Sequence, residues 1–166
     1  MLIILGGLPG TGKTTIAREL ARHVGGVHVR IDSIEQAIRD SGIDDRTVHD
    51  AGYRVGYAIA EDNLRLGRIV IADSVNPIAL SREAWRNAAT RAGARAIEVE
   101  VICSDTEAHR ARVESRVADS PGHRVPTWQE VVDRDYEPWQ GDRLVIDTAL
   151  LRVEQSVKLI RLRAGA

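Results

Sequence analysis

The sequence predicts a three-layer α/β domain built on a doubly wound, parallel five-stranded sheet, and three observations lead to it. Short β-branched runs alternate with longer stretches of helical periodicity along the whole chain. The runs are apolar nearly throughout, without the alternation of a sheet that has one wet face, so helices should cover both sides. A glycine-rich turn separates the first run from the first helical stretch, at the edge where a parallel sheet binds its ligands.

The first strand is Leu2-Ile3-Ile4-Leu5. It is too short and lacks the basic flank of a secretion signal, and it passes directly into glycines. The second strand, Val27-His28-Val29-Arg30-Ile31, leads to a helix expected to begin near Ile34, with Ser33 and Gln36 in capping-box spacing. Residues 45–66 place Val48, Ala51, Val55, Ile59 and Leu66 at helical spacing, interrupted by Gly52 and Gly56. With the preceding helix they form a substrate cap over about 33–66. The third, fourth and fifth strands are Arg68 to Ala72, Ala96 to Ile102, and Leu144-Val145-Ile146. Between the last two, residues 117–126 carry Asp119-Ser120-Pro121-Gly122 followed by His123 and Arg124. This is a loop suited to closing over phosphates, within a helical lid at about 112–127.

Bulk composition bounds the rest. A chain of 166 residues with 43% hydrophobic content buries one core, so residues 1–166 form a single domain. A net charge of −1 gives no general attraction to nucleic acid or to an anionic membrane, and aromatics at 4% supply few platforms for stacking bases. No apolar stretch approaches the roughly 20 residues that span a bilayer. The single cysteine, Cys103, excludes an intramolecular disulfide and suits a reducing, cytoplasmic setting; it reads as a core residue closing a strand. Trp85, Trp128 and Trp139 read as core residues of helical segments. Histidines 23, 28, 49, 109 and 123 show no metal-site spacing. Oligomeric state is not written in the sequence.

The chemistry is carried by Gly7-Leu8-Pro9-Gly10-Thr11-Gly12-Lys13-Thr14, a complete phosphate-binding loop between a strand and a helix. Its glycines let successive backbone N–H groups point at phosphates, and the following helix aims its positive end at the same place. Lys13 would neutralise the β- and γ-phosphates of ATP, and the Thr14 hydroxyl would ligate Mg²⁺. Asp73 ends an apolar run, as a carboxylate of the magnesium shell does. Asp32 stands at the end of the second strand, placed to act as general base toward a substrate hydroxyl. Arg112, Arg116 and Arg124 border the lid loop, where arginines could stabilise charge on the transferring phosphoryl group.

These motifs together carry a resemblance. Gly7 to Thr14 with Thr15, then Arg30-Ile31-Asp32-Ser33, then Ile71-Ala72-Asp73-Ser74-Val75-Asn76-Pro77 with Arg82-Glu83-Ala84-Trp85, resemble the P-loop kinases related to the kinase domain of phage polynucleotide kinase. Chloramphenicol phosphotransferase is similar in design. The likeness runs from Leu2 to about Trp139, and Leu144 to Thr148, with Asp147, looks like the adenine-side loop of the same group. It implies that Asp32 activates the acceptor hydroxyl and that arginines at Arg116 and Arg124 clamp the ATP phosphates. Polynucleotide kinases carry an arginine for the substrate's 3′-phosphate where this chain has Glu35, an acidic residue that would repel it, although Arg39 lies one turn further on. The expectation is an ATP- and Mg²⁺-dependent kinase for a small-molecule hydroxyl, with nucleic acid disfavoured as acceptor. A 5′-hydroxyl polynucleotide kinase and a nucleotide-binding regulator without phosphotransfer are the alternatives.

Overall fold

The computed structural model describes residues 1–42, 50–116 and 125–165. Its elements are β1 (Leu2–Gly6), α1 (Lys13–Val24), β2 (Val27–Arg30), α2 (Ile31–Asp40), α3 (Ala51–Arg65), β3 (Val70–Asp73), α4 (Ala79–Arg91), β4 (Ala96–Ile102), α5 (Thr106–Glu114), α6 (Trp128–Val132), β5 (Leu144–Asp147) and α7 (Val153–Ala164). The strands form one parallel sheet in the order β2-β3-β1-β4-β5, the doubly wound arrangement that the sequence implies.

β1 shows why the sheet needs two helical layers. Leu2 and Ile4 point to one face and Ile3 and Leu5 to the other, and all four are fully buried. Ile3 and Leu5 join Ile16, Leu20, Val99, Ile146 and Ile160 in the core beneath α1 and α7. Leu2 and Ile4 join Val29, Ile31, Ala60, Leu64 and Trp85 in the core beneath α2, α3 and α4. Each such side chain removed from water contributes roughly 1.5–3 kcal/mol, so the two clusters hold the layers together. β4 departs from continuous apolarity. Val99 and Val101 enter the first core, while Glu98 pairs with Arg86 and Glu100 accepts from Arg143 Nε at 2.6 Å.

Several expectations need correction. α2 starts at Ile31, directly out of β2, because Arg30 stays extended (φ −103°, ψ 116°) and the next residue is already helical. Ser33 is therefore inside the first turns and no Ser33–Gln36 capping box forms; Gln36 Nε2 donates to Asp40 Oδ1 at 2.8 Å instead. In α3 the buried face is Gly52, Gly56, Ala60 and Leu64, while Val55, Ile59 and Leu66 are exposed. The glycines are thus the contact stripe and not interruptions. A Cβ on Gly56 would lie 2.4 Å from Ile31 Cδ1 and 3.2 Å from a Trp85 ring carbon, so only a bare Cα lets α3 approach this closely. Val48 lies outside the described residues. Cys103 sits just past β4 and is half-buried, its thiol facing the Asp105 carbonyl at 3.4 Å, because the chain leaves the core at that edge. Trp139 is buried but lies in irregular chain after α6, under Gly6, and Trp128 at the start of α6 is only half-buried.

Among the described residues no helix is long and apolar enough to cross a membrane.

Candidate active site

The carboxyl edge of the sheet opens into a cavity of about 1190 Å³. The phosphate-binding loop forms its floor. Gly7 and Gly10 have φ of 143° and 84°, and a Cβ on Gly7 would sit 2.1 Å from the Val101 carbonyl oxygen. Only glycine allows that close turn. The loop is further held by Gly7 N–H donating to Val75 O at 3.1 Å and by the Thr11 hydroxyl donating to Leu8 O at 2.9 Å. Lys13, 8% exposed, donates from Nζ to Leu8 O at 3.0 Å. Burial lowers its pKa, opposed by the charges of Asp73 and Asp32. A buried ammonium poised on a loop carbonyl, beside backbone N–H groups at a helix start, is a donor set that fits a polyphosphate.

Pro9, Gly10, Gly12, Lys13, Thr14 and Thr15 all line this cavity. Gly7 and Thr11 support it from below through the bonds just given. Asp73, at the end of β3, is buried and also lines it. Burial would raise its carboxyl pKa, but a hydrogen bond from His28, the charge of Lys13 and contact with the Thr14 hydroxyl hold it below the usual carboxylate range. The pair of Thr14 hydroxyl and ionised Asp73 carboxylate is an oxygen donor set that fits Mg²⁺. His28 Nε2 meets Asp73 Oδ2 at 3.1 Å and so orients that carboxylate from outside the cavity. Neither Asp73, Ser74 nor Asn76 caps the next helix, whose N-cap is Ile78. Asn76 is instead a buried tie, with Nδ2 donating to Leu5 O at 2.9 Å and Oδ1 accepting from Trp85 Nε1 at 3.1 Å.

Asp32 lines the same cavity from the first turn of α2, and Arg30 approaches its Oδ2 at 3.4 Å. Glu35 and Arg39 follow on the same helix face, one turn apart, with 3.6 Å between their charged atoms. A Cβ on Gly52 would lie 2.4 Å from Glu35 Cγ, so the glycine stripe of α3 gives Glu35 the room in which it turns toward the cavity.

On the opposite wall Arg112 and Arg116 line the cavity from α5 and the residues just after it. Arg112 donates to Thr148 through Nη1 at 2.8 Å to the hydroxyl and Nη2 at 3.1 Å to the carbonyl, and the Thr148 hydroxyl donates to Thr11 O at 2.8 Å. Asp147 does not line the cavity; its Oδ1 accepts from the backbone N–H groups of Ser104 and Ala149, each at 3.0 Å, and fixes the loop that presents Thr148. Arg124 and residues 117–123 of the 112–127 lid lie outside the described residues.

Sequence reasoning missed His28, Arg18, Tyr53, His109 and Arg134. His109 carried a signal, since it lies one turn before Arg112 on the helix that leads to Arg116. His28 carried none, because its partner stands 45 positions away on a strand whose adjacency only the folded sheet reveals.

Comparison with known proteins agrees with this architecture. Residues 2–134 match the AAA domain family, and the chain belongs to it as a P-loop kinase-like protein. No curated protein matches the chain significantly. A candidate kinase from Chloroflexus aurantiacus is 26% identical with a TM-score of 0.76, covering 99% of this chain and 97% of its own. APS kinase from Mycobacterium tuberculosis, solved with AMPPNP and APS, is 15% identical with a TM-score of 0.75, covering 99% and 97%. A gluconokinase from Sinorhizobium meliloti is 18% identical with a TM-score of 0.64, covering 98% and 93%. The last two likenesses are of fold alone.

Proposed function

We propose that the protein is a cytoplasmic ATP- and Mg²⁺-dependent phosphotransferase that moves the γ-phosphate of ATP to a hydroxyl of a small molecule, with Asp32 as general base. The observation that carries this reading is that Asp32 and Lys13 line one cavity, near enough for the Asp32 charge to act on the Lys13 ammonium. A phosphate held on the loop then faces a carboxylate able to take the acceptor's proton. The loop N–H groups and Lys13 bind and orient the triphosphate, with Thr14 and Asp73 holding Mg²⁺, which when bound neutralises phosphate charge. Arg112 fastens the nucleotide wall to Thr148, and Arg116 and Arg124 stabilise charge on the moving phosphoryl group. Proteins of the same fold named as kinases of small molecules support this general reaction. Glu35 inside the cavity disfavours a polynucleotide end.

The test is a thermal-shift screen of small alcohols against the protein with Mg²⁺ and AMPPNP, followed by ADP release from ATP for each stabilising alcohol. An alcohol that raises Tm only with nucleotide and then accelerates ADP release at least tenfold supports phosphotransfer. Nucleotide binding with ADP release that no alcohol changes would favour the regulator.

A further inference from the structure

The wall facing the phosphate-binding loop has a chemistry of its own. Asp32, Glu35, Gln36 and Arg39 occupy positions i, i+3, i+4 and i+7 of α2, one helical face, and all four line the cavity. Three of them present oxygen acceptors. Gln36 is 7% exposed, and its Nε2 is committed to the Asp40 carboxylate at 2.8 Å. That bond fixes the amide orientation, since the reverse would set two oxygens against each other. Its Oε1 is therefore a buried acceptor, and no described residue donates to it. Such an atom is costly unless a donor arrives from a ligand.

Charge points the same way. Among the described residues the whole cavity carries six basic and four acidic side chains, an excess that a magnesium-bound triphosphate would neutralise. Most of the basic groups come from α1, α5 and the chain after α6. The part of the cavity lined by α2 carries two carboxylates, Asp32 and Glu35, and one guanidinium, which pairs with Glu35. Burial raises the Glu35 pKa and the neighbouring Asp32 carboxylate raises it further, with Arg39 and Arg134 opposing. The two acids thus repel each other along the one cavity wall that α2 forms. A further anion would add to that repulsion, whereas hydroxyl or ammonium donors would relieve it.

We infer that the acceptor is a donor-rich alcohol without an acid group, a polyol or amino alcohol, bound through Glu35 and Gln36 while Asp32 takes the proton of the reacting hydroxyl. This rests on the phosphotransferase reading above and adds its substrate class. Balance is simple: the acceptor oxygen bonds to the γ-phosphorus, the bond to the β-bridging oxygen breaks, ADP leaves, and the hydroxyl proton passes to the Asp32 carboxylate.

The experiment offers matched probes to the full-length protein with Mg²⁺ and ATP: sorbitol against gluconate, glycerol against glycerate, and ribose or glucosamine against ribose 5-phosphate. Both ADP release and the Tm shift with AMPPNP are measured. The expected result is at least a 100-fold higher kcat/KM for an acid-free probe than for its acidic counterpart. Glu35→Gln and Gln36→Leu should each raise the KM of that probe about tenfold, the cost of a lost acceptor, with the KM of ATP unchanged. Preferred transfer to gluconate, glycerate or ribose 5-phosphate would overturn the inference and reassign Arg39 and Arg134 as an anion clamp, leaving the kinase reading intact. Binding of AMPPNP with no transfer to any probe would also overturn it. Failure to bind AMPPNP at all would remove the kinase reading itself.

Discussion

His109 Nε2 donates a hydrogen bond to the Pro9 carbonyl at 2.8 Å, linking the helix that leads into the lid to the phosphate-binding loop. The imidazole is 7% exposed and stands edge-on to Trp128, with ring centroids 5.2 Å apart, so both described borders of the lid region meet on this one side chain. Gly10 allows the approach: a Cβ there would lie 3.2 Å from the His109 ring and 2.5 Å from Val113 Cγ2. A second tie runs from Arg112 through Thr148 to the Thr11 carbonyl. The loop that receives phosphate is therefore held by the same helix that supplies the arginines.

His109→Phe keeps an aromatic ring against Trp128 but removes the donor, leaving the Pro9 carbonyl without its partner. Loss of that bond costs about 1–3 kcal/mol, part of it felt as nucleotide affinity, so the AMPPNP Kd should rise roughly tenfold by calorimetry. His109→Gln, which places an amide N–H near the same point, should recover most of it. Equal affinity for the Phe variant and the wild type would show that the bond does not position the loop.

The glycine stripe of α3 makes a prediction about stability. Gly56→Val inserts three carbons where a Cβ alone meets Ile31 Cδ1 at 2.4 Å, and overpacking of this kind costs about 1–3 kcal/mol. The urea midpoint should fall accordingly with an unchanged m-value. Val55→Ser, on the exposed side of the same helix, should change stability by no more than about 0.5 kcal/mol.

That reversal of faces illustrates how far the sequence could be read. The five strands and their flanking helices are legible because β-branched runs and helical periodicity are local signals. The phosphate-binding loop is legible because its spacing leaves few other uses for Lys13 and Thr14. The α3 face was misread because glycine counts as a helix breaker by propensity, while in a tight helix pair it is selected for its missing Cβ. The start of α2 was misplaced because Ser33 with Gln36 is a local capping pattern, overridden by a chain that turns helical directly out of β2. His28 acts through a neighbour that only the sheet order brings close, and Tyr53 through one that only the packing of α3 brings close.

Lys13→Ala removes a buried ammonium whose bond in the protein alone is to the Leu8 carbonyl of its own loop. The variant sheds the cost of burying the ammonium but leaves the buried Asp73 carboxylate without that opposing charge, so Tm should change little. Phosphotransfer should fall by about 10²- to 10³-fold or more, as on loss of an electrostatic contact to the transition state. Near-normal turnover in this variant would mean that the loop is not the catalytic nucleotide site.

Asp32→Asn separates the proposed base from a merely structural acid. Asp32 lies in the first turn of α2, where a negative charge is favoured by the helix dipole by about 0.3–1 kcal/mol, and Arg30 lies 3.4 Å from its Oδ2. The carboxylate is about a third exposed, so solvent screens that pair and the stability cost of the variant should stay below about 1 kcal/mol. The amide keeps the shape of the side chain and loses the proton-accepting charge. Transfer to the acceptor hydroxyl should therefore fall by about 10²- to 10⁴-fold in single-turnover measurements, the range of general-base removal, with the AMPPNP Kd nearly unchanged. The two readouts divide the cases. A base loses transfer and keeps nucleotide, whereas a helix-start acid changes Tm slightly and leaves both alone. Wild-type transfer by Asp32→Asn, with an acceptor that the wild-type protein phosphorylates, would assign the proton to another group facing the cavity, and Glu35, one turn along the same face, would be the next to replace.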